Sequence, residues 1–107
     1  MKTAEEHTRS FWVDPERAIQ VLIREVANHY HSRRELSRVV EARTKLLYPD
    51  NPIANISVTF WISWAFGIKG KSARVPTLRN GVRLFRILLE LKHANDKKNE
   101  LLAVTTP

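Results

Sequence analysis

Residues 76–94, PTLRNGVRLFRILLELKHA, are the part of this chain that leaves the fold least freedom. At about 100° per residue, Leu78, Val82, Leu84, Phe85, Ile87, Leu88, Leu89 and Leu91 fill an arc of about 220°. Arg79, Arg83, Arg86 and Glu90 fall in a stripe about 60° wide. A helix so apolar must be surrounded on several sides. It is either the central helix of its own domain or part of an interface with a second copy of the chain. Pro76, with its fixed φ and missing N–H, suits the first turn of such a helix.

Two earlier segments supply helices to surround it. Asp14-Pro15-Glu16 combines an N-cap carboxylate, proline at the first helical position and an acid in the first turn. From there Ala18, Ile19, Leu22, Ile23, Val26, Ala27 and Tyr30 recur on one face, which predicts a helix over 15–31. Ser32-Arg33-Arg34-Glu35 has the spacing of a capping box, serine with glutamate three residues on. The helix it opens should run over 33–48 and stop at Pro49. Leu36, Val39, Val40, Leu46 and Leu47 share its apolar face, with Arg43 intruding, and Arg34, Arg38, Glu41 and Lys45 form the opposite stripe. Residues 1–12 read as an N-terminal flap that carries a short helix ending in Phe11-Trp12, and 96–107 as a frayed tail.

The run SVTFWISWAF over 57–66 fits two templates. As a strand its residues alternate and are β-branched or aromatic. As a helix Thr59 and Ser63 form one polar edge, Ser57 caps the start and Gly67 supplies the stop. The helix is favoured, because a lone strand among helices would lack a pairing partner. The chain is therefore expected to be a single all-α domain, 1–107, a compact bundle of four to five helices near 15–31, 33–48, 57–66 and 76–94. Its 107 residues suffice for one modest core.

Charge then narrows the function. The net charge is +7 and there is no cysteine. Residues 1–50 are nearly balanced, whereas 51–107 hold nine Lys/Arg against three Asp/Glu. Between Asp50 and Glu90 there is no carboxylate at all. A one-signed field of this kind attracts polyanions. The absence of cysteine excludes disulfides and cysteine zinc sites and makes a reducing, cytoplasmic setting the expectation. The start MKTAEEHTRSFW has two glutamates where a signal peptide would be apolar, and no run approaches the ~18–20 apolar residues of a membrane span.

Cations in a rigid, regular array are what a phosphate backbone requires. Arg79, Arg83 and Arg86 emerge about one turn, 5.4 Å, apart from a helix whose other faces are buried. Just before them, Lys69, Lys71, Ser72 and Arg74 form a glycine-containing basic loop whose amides, with the N-terminus of the last helix, suit a phosphate. These seven residues are the candidate nucleic-acid contacts. The plain alternative is a solvated polar face, which every helix has, although such faces ordinarily mix signs. A helix-turn-helix over 58–79 is opposed by Pro76 in what would be its second helix. Trp61 and Trp64 read as core.

Enzyme signatures are missing: no P-loop, no Gly-x-Ser-x-Gly, no dinucleotide fingerprint, and no Asp, Glu or His within 51–89 to serve as base or metal ligand. No catalytic residue, metal site or cofactor is expected. The reading is a small basic nucleic-acid-binding protein, a DNA-binding regulator of transcription or accessory factor, with DNA ahead of RNA as ligand. The competing reading is a helical protein–protein interaction module or small subunit, with a homodimer or a protein partner covering the surplus apolar surface.

Overall fold

Asp14 separates the first two helices and caps the second. Its carboxylate accepts a hydrogen bond from the Arg17 N–H at 3.2 Å, and Pro15 takes the first helical position. The computed structural model describes residues 3–68 and 75–105, with side chains as far as Lys98. The helices are α1 (Ala4–Val13), α2 (Pro15–Ala27), α3 (Arg33–Leu47), α4 (Asn55–Ala65) and α5 (Leu78–Thr105). No strand occurs among the described residues, and the helices form a compact all-α bundle.

The run over 57–66 is thus helical. Its wide apolar surface is buried against α2 and α3, where Val58, Trp61, Ile62 and Ala65 enter the core. α2 lies at the centre and packs on α1, α4 and α5, while α3 closes the bundle against α4 and α5. Leu22, Ile23 and Val26 of α2 are fully buried and meet Leu84, Ile87 and Leu88 of α5 in one cluster. The apolar arc of α5 is therefore covered from Leu84 to Leu91 by the chain's own helices, and only its first turns leave Leu78 and Val82 exposed. α2 and α5 approach closely at Gly81, where a Cβ would stand 3.0 Å from Ile19 Cδ1. Beyond the bundle α5 continues as helix to Thr105, through most of the segment read as a frayed tail, and the long dimension of the molecule is 48 Å.

Helix boundaries follow local hydrogen bonding more closely than apolar spacing. α2 stops at Ala27 rather than 31, because the N–H groups of His29 and Tyr30 turn back to the carbonyls of Val26 and Ala27 at 3.1 Å. Ser32 then caps α3, accepting from Glu35 N–H at 3.1 Å, while the Glu35 carboxylate accepts from His31 N–H at 3.0 Å. α5 begins at Leu78, not Pro76: the Thr77 hydroxyl accepts from Asn80 N–H at 3.3 Å and its carbonyl from Gly81 N–H. Residues 75–77 lie outside any helix, so the second helix of a helix-turn-helix does not form there. α4 starts at Asn55 without a side-chain cap, and Ser57 falls inside it.

Gly67 ends α4 as the sequence leads one to expect. It sits at φ 70°, with Gly67 N–H bonded to Trp64 O and Ile68 N–H to Ser63 O, both at 3.0 Å. Nothing lies within 4 Å of a Cβ placed there. Gly67→Ala should therefore cost only the left-handed backbone, about 1 kcal/mol of unfolding free energy. A denaturation midpoint equal to that of the native chain would remove this role from Gly67.

One apolar-face assignment is corrected. Leu46 points to solvent, and the buried face of α3 is turned away from it toward the small polar residues Ser37 and Thr44, both buried. The short N-terminal helix expected before Asp14 forms, as α1, and packs on the bundle through Phe11 and His7. Phe11 stacks on Phe85 with ring centroids 4.6 Å apart, and the fully buried His7 places Nε2 2.7 Å from Glu25 Oε2.

Candidate nucleic-acid interface

The arginine stripe of α5 does not stand free along its whole length. Arg83 is half-buried over the turn that joins α3 to α4. Its guanidinium lies 4.3 Å from the centroid of Tyr48, donates to Asn80 Oδ1 at 3.2 Å, and donates to the Asn51 carbonyl. A planar cation stacked on a ring and bonded to a turn carbonyl holds that turn against α5. Arg86 faces Glu90 one turn on, at 3.7 Å, an exposed pair of small energetic weight. Arg79 is exposed and makes no ion pair among the described residues. It lines a shallow groove with Leu47, Tyr48, Pro49, Asp50 and Val82. Lys69, Lys71, Ser72 and Arg74 lie outside the described residues.

A second set of cations gathers on α3. Arg33, Arg34 and Arg38 are exposed, and none has a carboxylate within 4.0 Å among the described residues. Farther along, Lys45 is paired with Glu41 at 3.0 Å, so the exposed unpaired arginines of α3 lie in its first half. Arg33 lies over the Phe66 ring at 5.3 Å from its centroid, which joins the start of α3 to the end of α4. Arg24 has a different task. Its Nε donates to the Ala65 carbonyl at 2.7 Å, so it caps the C-terminus of α4, where a cation is favourable.

Sequence reasoning placed Arg34 and Arg38 on an ordinary outer stripe and missed this set. A signal was present: 33–40 contains Arg33, Arg34 and Arg38 against Glu35 alone, and Glu35 is engaged with the His31 N–H. Arg43, expected to intrude on the apolar face, is half-buried.

Between α3 and α4 runs a polar seam. The Asn55 side-chain amide donates to Ser37 Oγ at 3.1 Å, Ser37 Oγ lies 3.0 Å from Thr59 Oγ1, and Thr59 Oγ1 donates to the Asn55 carbonyl at 3.0 Å. The circuit closes if Ser37 donates to Thr59. At its mouth is a groove of about 350 Å³ lined by Arg33, Arg34, Asn55, Thr59, Ile62 and Ser63.

Other surfaces are apolar. Trp12 and Val13, at the end of α1, are 80% and 86% exposed. Beside them Phe11, Pro15, Ile19, Pro76 and Leu78 line a groove of about 270 Å³. Among the described residues no three His, Asp or Glu side chains gather as a metal site would require. No helix among them is long and apolar enough to cross a membrane.

Together these features define an all-α bundle with arginine-bearing faces on α3 and α5. Comparison with protein-family models, curated proteins and solved structures gives no match.

Proposed function

We propose that the protein binds nucleic acid through the exposed arginines of α3 and α5, as a DNA-binding regulator or accessory factor. The observation that carries this reading is the uncompensated charge of Arg33, Arg34, Arg38 and Arg79, set on helices with buried inner faces, in a chain of net charge +7. Arginines fixed on rigid supports neutralise phosphates and release condensed counterions, and binding then weakens steeply with salt. Lys69, Lys71, Ser72 and Arg74 remain part of the proposed contact set on the strength of the sequence.

Fluorescence anisotropy against duplex DNA, single-stranded DNA and structured RNA, at low and near-physiological salt, tests the reading. Micromolar or tighter binding at low salt is expected, with log K falling linearly in log salt. The ligand preferred in that series sets DNA against RNA. Arg79→Ala should reduce the slope by about 1, the value for one lost phosphate contact. Absence of binding to all three at low salt would overturn the proposal.

A second reading, docking on another protein, is favoured by one specific observation, the exposure of Trp12 and Val13 beside an apolar groove. Sedimentation of the purified chain decides whether a second copy covers that surface. A strictly monomeric chain that binds oligonucleotide would leave the nucleic-acid reading alone.

A further inference from the structure

The groove between α3 and α4 is unusual in the balance of its hydrogen-bonding groups. Ser37, Thr59 and the Asn55 carbonyl satisfy one another at its floor. What remains around it is mostly donors. Arg33 and Arg34 each carry five N–H groups, Asn55 has a second amide proton, and the Ser63 hydroxyl makes no hydrogen bond among the described residues. Arg33 lies over the Phe66 ring at 5.3 Å, and its guanidinium makes no hydrogen bond or ion pair among the described residues. The nearest carboxylate in sequence, Glu35, is held by the His31 N–H. A site rich in donors, with two arginines and no carboxylate in its lining, is the complement of a group that offers only acceptors and negative charge.

We propose that this groove binds a phosphate ester, with Arg33 and Arg34 gripping the phosphate oxygens and Ser63 and the Asn55 amide donating from the α4 side. Its volume of about 350 Å³ takes the phosphate together with its attached ester group. This deepens the nucleic-acid reading and rests on it for the natural source of the phosphate, a backbone phosphodiester. The chemistry of the groove would equally suit a free phosphate monoester.

The test is a titration of the ¹⁵N-labelled full chain with inorganic phosphate, with adenosine monophosphate and with a short oligothymidylate, followed at the amides of Arg33, Arg34, Thr59 and Ser63. These amides should shift together and saturate, while that of Leu22 in the core should not move. Arg33→Gln combined with Arg34→Gln should weaken the saturating shift at Ser63 at least about tenfold, as expected for lost hydrogen bonds between charged groups. Ser63→Ala should weaken it by a smaller factor, and Arg9→Gln, on the exposed face of α1, should leave it unchanged. Unchanged thermal midpoints would show that these substitutions spare the fold.

Tighter saturation by the oligonucleotide than by the two small ligands supports the site with a nucleic-acid source. Saturation by phosphate or adenosine monophosphate without any effect of the oligonucleotide supports the site and removes the nucleic-acid reading. Absence of saturable shifts at these amides with all three probes overturns the site. In that case, oligonucleotide binding that depends on Arg79 but not on Arg33 and Arg34 would leave the nucleic-acid reading standing.

Discussion

Phe11→Ala is expected to lower the unfolding free energy by about 3–5 kcal/mol, whereas Trp12→Ala, one residue along, should change it by less than about 0.5 kcal/mol. The two aromatic residues are neighbours on one short helix and look alike in the sequence. Phe11 is 6% exposed and stacked on Phe85, in the cluster that holds α1, α2 and α5 together. Its removal takes away the buried ring and leaves a cavity that α5 cannot fill by moving, because α2 holds it from the other side. Trp12 meets Phe11 edge-on at 6.0 Å but is otherwise in water. Urea unfolding of both variants checks the contrast. Equal midpoints would mean that α1 does not contribute to the bundle as its packing implies.

The second large effect separates two arginines of the same stripe. Arg83→Ala should destabilise the fold by about 2 kcal/mol, the sum expected of a partly desolvated cation–ring contact and a charge-assisted hydrogen bond to a turn carbonyl. The turn between Tyr48 and Asn51 would lose its tie to α5. Arg79→Ala should leave stability within about 0.5 kcal/mol of the native chain, since its side chain is exposed and unpaired among the described residues. On oligonucleotide binding the order should invert, with Arg79 setting the salt slope and Arg83 acting only through the turn it holds. Thermal unfolding and anisotropy on the same two variants would show it. If Arg83→Ala binds with a reduced slope and melts like the native chain, its place is with ligand and not with Tyr48.

The difference between these two residues shows where the sequence runs out. Periodicity puts Arg79, Arg83 and Arg86 on one stripe, and so they lie on α5. Periodicity says nothing of what lies opposite. Tyr48 and Asn51 are more than thirty residues away in the chain, and only the packing of α3 against α5 brings them under Arg83. In the same way His7 shows no partner in the sequence, yet the antiparallel return of α2 on α1 sets Glu25 against it. Leu46 fails in the opposite direction. Its spacing matches the apolar arc of Val39, Leu36 and Leu47, but the buried face of α3 is turned away from it toward Ser37 and Thr44, whose hydroxyls bond to α4 and to the turn before it. Small polar residues that satisfy one another resemble surface residues in a sequence and behave as core in the fold.

What the sequence determined by itself was local: helices begun by Asp14 and Ser32, a stop at Gly67, and an apolar arc on residues 78–91 broad enough to demand a bundle around it. These features depend on backbone geometry and on partners within four residues, so a linear reading contains them. Which cations remain free was decided only by tertiary structure. A guanidinium's state depends on rings, carbonyls and carboxylates that arrive from distant helices. That is why Arg24 and Arg83 became braces for the fold, while Arg33, Arg34, Arg38 and Arg79 were left facing solvent.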